Sequence, residues 1–209
     1  MSVDPTTGTP PRPKPSTRFS ARDLLDTAIF AVIFIVVTYA TGLLGIVSPV
    51  VWLLVVPLQV VASGIPVMLF LTRVRHAGML TLFAGVVALF YLLGGNTLLG
   101  TAWIIVLGLV AEVILRSGRY RSRWAAIWAY TVFALSFFTP FLPLLVDRDS
   151  YLADSTWTQM GSDYVNAADA LLTLPVLGIV ALVIVITGFL GGLLGSALLR
   201  KHFVRAGLA

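Results

Sequence analysis

The chain reads as an all-α membrane protein with six transmembrane helices and both termini in the cytoplasm. Three observations lead there. First, of its 209 residues 58% are hydrophobic and only 11% charged, with a mean hydropathy of +0.98, whereas a soluble domain carries about a quarter charged residues. Second, the charges gather in short segments and leave long apolar runs between them. Third, every Lys and Arg except Arg148 falls on one side of a six-span arrangement. The composition excludes a soluble globular enzyme and a disordered protein, and the absence of cysteine excludes a disulfide-stapled secreted domain.

Each span follows from the apolar runs and their interruptions. Residues 27–72 carry no formal charge, enough for two helices of about 20 residues each and a turn. Ser48-Pro49 breaks that run, after Gly42 and Gly45 loosen its first half, which predicts helices over 24–45 and 50–72. Residues 77–111 are interrupted by Gly94-Gly95-Asn96, which predicts helices over 77–94 and 97–116, the second continuing past Glu112. The runs 124–146 and 170–199 supply a fifth helix over 124–146 and a sixth over 173–199. Arg12, Lys14, Arg18 and Arg22 precede the first span; Arg73 and Arg75 follow the second. Arg116, Arg119, Arg121 and Arg123 join the fourth to the fifth, and Arg200, Lys201 and Arg205 follow the sixth. The positive-inside rule then places both termini in the cytoplasm and the loop 147–172 outside. A five- or seven-span arrangement would scatter these cations over both faces.

Outside the spans, residues 1–20 are rich in Pro, Ser and Thr and read as a disordered cytoplasmic tail. The first apolar run is too long for a signal-peptide core and is expected to be retained. The loop 147–172 holds five aspartates, and its Tyr151, Trp157, Met160 and Tyr164 recur at helix-like spacing, which favours an ordered lid over a solvated connection. The net charge of +5 needs no nucleic acid, because cytoplasmic arginines face anionic lipid head groups.

Chemistry is sparse. There is no GxxxxGK[ST] loop, no thiol, and no histidine besides His76 and His202. Paired intramembrane carboxylates are absent too. No catalytic residue, metal ligand or cofactor is expected, and the protein reads as a non-enzyme. Glu112 is the single ionisable residue set within an apolar helix; a proton or cation site is one reading, an i,i+4 pair with Arg116 at the membrane edge the better one. Gly188, Gly191, Gly192 and Gly195 form overlapping GxxxG spacings, for packing within the chain before contact with a partner. Thr27 and Ala31, with Ala28 beside them, make a small-xxx-small pair. Trp52, Gln59, Asn96, Trp103, Tyr151, Trp157, Tyr164 and Asn166 gather near the outer face and suit a small-molecule pocket, although Trp and Tyr also populate interfacial belts.

Several short segments together carry a family likeness. Arg22-Asp23-Leu24-Leu25 opens the first helix; Ala111-Glu112-Val113-Ile114 is followed by Gly118-Arg119-Tyr120-Arg121-Ser122; Ala129-Tyr130 leads into the fifth span; and Lys201-His202-Phe203-Val204-Arg205-Ala206-Gly207 follows the sixth. With six spans and no nucleotide motif, the chain resembles the substrate-specific (S) components of energy-coupling factor (ECF) transporters. More closely it resembles the Trep_Strep family, also called the MptD family, whose KHFxKAG ending appears here with Arg in place of Lys. The resemblance spans roughly 20–208. It implies an S-component-like bundle in the plasma membrane of a prokaryote that captures a micronutrient outside and passes it inward, powered by two cytoplasmic ATPases through a transmembrane T protein. It also implies that small residues of the first helix dock on the T protein, where this chain offers Thr27 and Ala31. The ligand is implied to lie under the segment 46–52, with Pro49 at its turn. Arg119 and Arg121 are then expected to hold the cytoplasmic end or dock on the partner. A solitary carrier without an ATPase, and a structural or assembly protein of the membrane, are the competing readings.

Overall fold

Polar residues start the helices that the apolar runs sustain. The computed structural model describes residues 20–74 and 77–205, with side chains as far as Leu199; the expected proline-rich tail, Arg75, His76 and residues 206–209 lie outside the described residues. Ser20 and Asp23 form a reciprocal capping box that opens α1 (Ala21–Gly42). The helix tightens into a 3-10 turn over Leu43–Val47. Ser48 caps α2 (Pro49–Arg73), and Pro49 occupies the first helical position, where its missing N–H is no loss. After α3 (Met79–Leu93), Thr97 caps α4 (Leu98–Ser117) and Ser122 caps α5 (Arg123–Ala134). Short helices α6 (Pro143–Val146), α7 (Arg148–Leu152), α8 (Ser155–Thr158) and α9 (Ser162–Leu171) follow, and α10 (Leu174–Arg205) completes the chain. No strand occurs among the described residues.

Five helices among the described residues are long and apolar enough to cross a membrane: Ala21–Val47, Pro49–Arg73, Leu98–Ser117, Arg123–Phe141 and Leu174–Leu199. The third expected span is shorter than the rest. Its 15 residues extend about 22 Å, less than the hydrocarbon thickness of about 30 Å, because Gly94 and Gly95 end it on one side and Gly78, with φ of 97°, starts it on the other. The expected continuous helix over 124–146 is also corrected. It becomes α5, a 3-10 stretch over Leu135–Phe141, and α6. Pro140 and Pro143 lack the N–H that an α-helix needs there, so the chain tightens and turns instead.

The bundle is held by one aromatic knot and one glycine seam. Phe34 of α1, Phe70 of α2, Phe83 of α3 and Phe133 of α5 meet with ring centroids 4.9–5.8 Å apart, all essentially buried. Along α10, Gly191 lies against Val61 and Gly195 against Gly64, so α10 runs parallel to α2. Gly188 lies against Thr131 and Gly192 against Ile127, so α10 runs antiparallel to α5. A Cβ on Gly64 would come within 2.6 Å of the Gly191 carbonyl. The glycine face is thus consumed inside the chain. Outward, Val32, Val36, Leu54, Leu58, Val113, Leu182 and Ile186 are exposed, the reverse of a water-soluble surface and the arrangement a hydrocarbon solvent favours. The protein is an integral membrane protein with several apolar helices.

A cluster of cations marks one end of this bundle. Asp26 near the start of α1 pairs with Arg73 at the end of α2 at 3.5 Å. The exposed Arg116, Arg119, Arg121 and Arg123 lie at the α4–α5 turn, and the parallel run of α10 with α2 carries its end to the same side. The α7–α9 segment lies at the other end.

Candidate ligand-binding site

The site arises where α1 stops being an α-helix. Gly42 has no side chain, and the Gln59 amide of α2 moves into that space: a Cβ on Gly42 would sit 3.1 Å from Gln59 Nε2. Gln59 Nε2 donates to the Thr38 carbonyl oxygen. On the same face of α2, Trp52 and Val56 precede Gln59 at i−7 and i−3. Together with Tyr39, Tyr91, Ser136 and Phe137 they enclose a cleft of about 260 Å³. Its wall is stacked in depth: the Trp52 indole lies on Phe141 with centroids 4.5 Å apart and a 19° tilt.

A second lobe of about 190 Å³ continues past Trp52 beneath the lid, bounded by Gly45, Tyr151, Trp157 and Tyr164. The lid α7–α9 is latched at three points. Tyr151 Oη donates to the Pro140 carbonyl at 3.0 Å, and Tyr164 Oη to the Gly45 carbonyl at 2.9 Å. Trp157, 6% exposed, inserts between them with its ring 5.9 Å from Trp52. At the base, Arg148 donates to Asp169 Oδ1 at 2.6 Å, to the Leu172 carbonyl at 2.7 Å, and to the Asp169 carbonyl. Burial raises the Tyr151 and Tyr164 hydroxyls above the usual phenol range, which keeps both as donors. Asp154 is held below the usual carboxylate range by the backbone N–H of Thr156, so the lid keeps its negative charge.

The expected pocket residues therefore divide. Trp52 and Gln59 line the first lobe and Trp157 and Tyr164 the second. Pro49, Asn96 and Trp103 line neither. Pro49 is buried in the first turn of α2. Asn96 accepts from Thr97 N at 2.9 Å as a turn residue, and Trp103 donates Nε1 to the Leu135 carbonyl at 3.0 Å, tying α4 to the 3-10 stretch. Asn166 borders a separate hollow within the lid. Thr38, Tyr39, Tyr91 and Ser136 were missed; their signal was a set of hydroxyls inside apolar runs near the breaks at Gly42, Gly94 and Pro140.

At the cationic end the expected Glu112–Arg116 pair does not form among the described residues. Glu112, 8% exposed, instead uses Oε2 to accept the Leu80 and Thr81 N–H groups at 2.9 and 3.1 Å, and Oε1 to accept from Tyr120 Oη at 2.8 Å. An acid at a helix N-terminus satisfies donors that have no intrahelical partner, so α3 outcompetes Arg116. Gly118 allows the turn, because a Cβ there would meet Ala125 at 2.4 Å. Arg119 and Arg121 are exposed. Thr27 and Ala31 are not: they are 1% and 0% exposed and face the chain's own helices, leaving only Ala28 outward. A small-xxx-small pair serves internal packing as well as external, and here it serves the former.

The fold and cleft define a multi-pass helical membrane protein with a ligand-sized aromatic site at one end. The model of a family described as a hypothetical bacterial integral membrane protein (Trep_Strep) matches residues 21–205, and the chain belongs to that family. Neither a curated protein nor a solved structure matches it.

Proposed function

We propose that this protein is the substrate-binding subunit of an ECF-type importer, a non-enzyme that captures a small micronutrient outside and releases it inside with a T protein and two cytoplasmic ATPases. The observation that carries the reading is the two-lobed aromatic cleft under a latched lid, at the end of the bundle opposite Arg116, Arg119, Arg121 and Arg123. A concave, largely apolar site with a few directed polar groups is what small-molecule capture needs. In the proposed topology α3 is the sixth crossing, completed by its flanking turns, so both termini are cytoplasmic and the lid faces outward. The chain carries no nucleotide-binding loop, so an energised cycle takes its power from partners. On α1, the least buried of the five long helices, the Ala28 face replaces the Thr27–Ala31 pair as the proposed docking side. Arg119 and Arg121 add a cationic contact.

The test is a tagged pull-down from the native plasma membrane in mild detergent, with mass spectrometry of the retained proteins. Two ATPases and a T-like membrane protein in near-equal amounts are expected, and Arg119→Glu with Arg121→Glu should deplete them while the purified chain still binds its ligand. Recovery of the protein alone, under conditions where a known importer complex survives, would transfer the assignment to a solitary carrier.

A further inference from the structure

Neither lobe of the cleft is lined by an Asp, Glu, Lys, Arg or His. Its polar groups are all neutral, and they are unevenly used. A carbonyl oxygen can only accept, so the contact with Thr38 commits the nitrogen end of the Gln59 amide and turns its oxygen away. Gln59, Ser136 and Trp52 line the cleft, and Gln59 Oε1, Ser136 Oγ and the Trp52 Nε1–H have no hydrogen-bond partner among the described residues. Ser136 is itself buried, 8% exposed. Two acceptors and a donor are thus held on rigid elements beside an aromatic wall. Trp52 and Gln59, seven residues apart on α2, lie about 10 Å apart along the helix axis, the scale of a two-ring compound.

We propose that the occupant of this cleft is an uncharged, flat heterocycle with at least one N–H or O–H donor, which Gln59 Oε1 and Ser136 Oγ accept. The proposal deepens the binding-subunit reading and rests on it. A charged ligand would surrender its hydration without meeting an opposite charge, whereas a neutral ring exchanges water for stacking and for groups left open to it. An anion is disfavoured twice, because the lid above the cleft carries Asp147, Asp149, Asp154, Asp163 and Asp169 against one cation, Arg148. Gly42 acts at one remove: it is the vacancy through which Gln59 reaches α1, so it fixes which end of the amide the ligand meets.

The experiment loads the full purified chain with a protein-free extract of the cells it comes from, washes it, and identifies the retained compounds by mass spectrometry. One compound, neutral at pH 7 and absorbing in the near ultraviolet, is expected on the wild type. Retention should fall about tenfold in Gln59→Leu and in Ser136→Ala, the effect of one hydrogen bond lost in a dry site. Ser136→Ala leaves the Gln59–Thr38 tie in place, so its loss of ligand is separate from any loss of fold. Retention of an anion, a cation, a metal ion or an aliphatic compound overturns the proposal and leaves the binding-subunit reading standing. Undiminished retention in both variants overturns it as well. A wild type that retains nothing overturns that reading along with it.

Discussion

Glu112 binds three groups from two other segments: the first turn of α3 and the side chain of Tyr120. Arg119 and Tyr120 both take left-handed backbone conformations, with φ of 53° and 56°. For side chains with a Cβ that costs about 1–2 kcal/mol per residue, and the hydrogen bond to Glu112 helps hold the turn there. Tyr120 is pushed up to about 12, first by burial and then by the acceptor Glu112 beside it. A phenol whose folded value lies above its usual 10 stabilises the fold fully below pH ~10 and loses that contribution as pH rises towards ~12. Tyr120→Phe should therefore lower stability at neutral pH by about 1 kcal/mol and flatten the decline between pH ~10 and ~12. Alkaline unfolding followed by tryptophan fluorescence reads this; superimposable curves for the two proteins would mean that the hydroxyl contributes nothing.

At the scale of elements, α10 shows how glycine spacing becomes a seam. Gly64, Gly191 and Gly195 bring two backbones closer than any side chain permits. Gly178, on the same helix, meets nothing within 4 Å of an added Cβ. Gly64→Ala should then destabilise the purified protein by about 1–3 kcal/mol through overpacking, while Gly178→Ala stays neutral or gains a few tenths of a kcal/mol from helix propensity. Thermal unfolding in detergent separates them, and equal midpoints would show that α2 and α10 have room to spread. The same seam explains why GxxxG spacing in α10 does not signal a partner here: its complement is a glycine on α2 of the same chain. The lid illustrates the converse. Its helices are too short to be stable alone, and they stand because Tyr151, Trp157, Tyr164 and Arg148 anchor them to the bundle.

For the whole molecule, the separation of the arginine cluster from the cleft organises everything else. Arginines cluster at one end and the aromatic site with its acidic lid at the other, so a single orientation in the membrane settles which compartment the site serves. The absence of cysteine makes this directly measurable. Asp154→Cys, on the exposed lid, should react in intact cells with a membrane-impermeant maleimide, and Arg121→Cys only after the membrane is opened. The opposite pattern would place the cleft on the cytoplasmic side and make capture from outside untenable.

Composition and the order of charges sufficed to read a helical membrane protein, its main helix boundaries and the side on which the cations gather, because these depend on transfer of residues between water and hydrocarbon and add up locally. Trp52, Gln59, Trp157 and Tyr164 were legible as residues that could line a cleft for the same reason: polar or aromatic groups near one end of apolar helices. The rest depended on which helices touch. Whether Glu112 would meet Arg116 or the start of α3, whether Thr27 and Ala31 would face inward or outward, and whether Asn96 and Trp103 would line a cleft or hold a turn are questions of rotation and neighbourhood. Intramembrane packing makes that choice through close contact of particular surfaces, Gly64 on Gly191 and Gln59 in the space left by Gly42, and a one-dimensional pattern of apolar residues is nearly the same for every rotation that it allows.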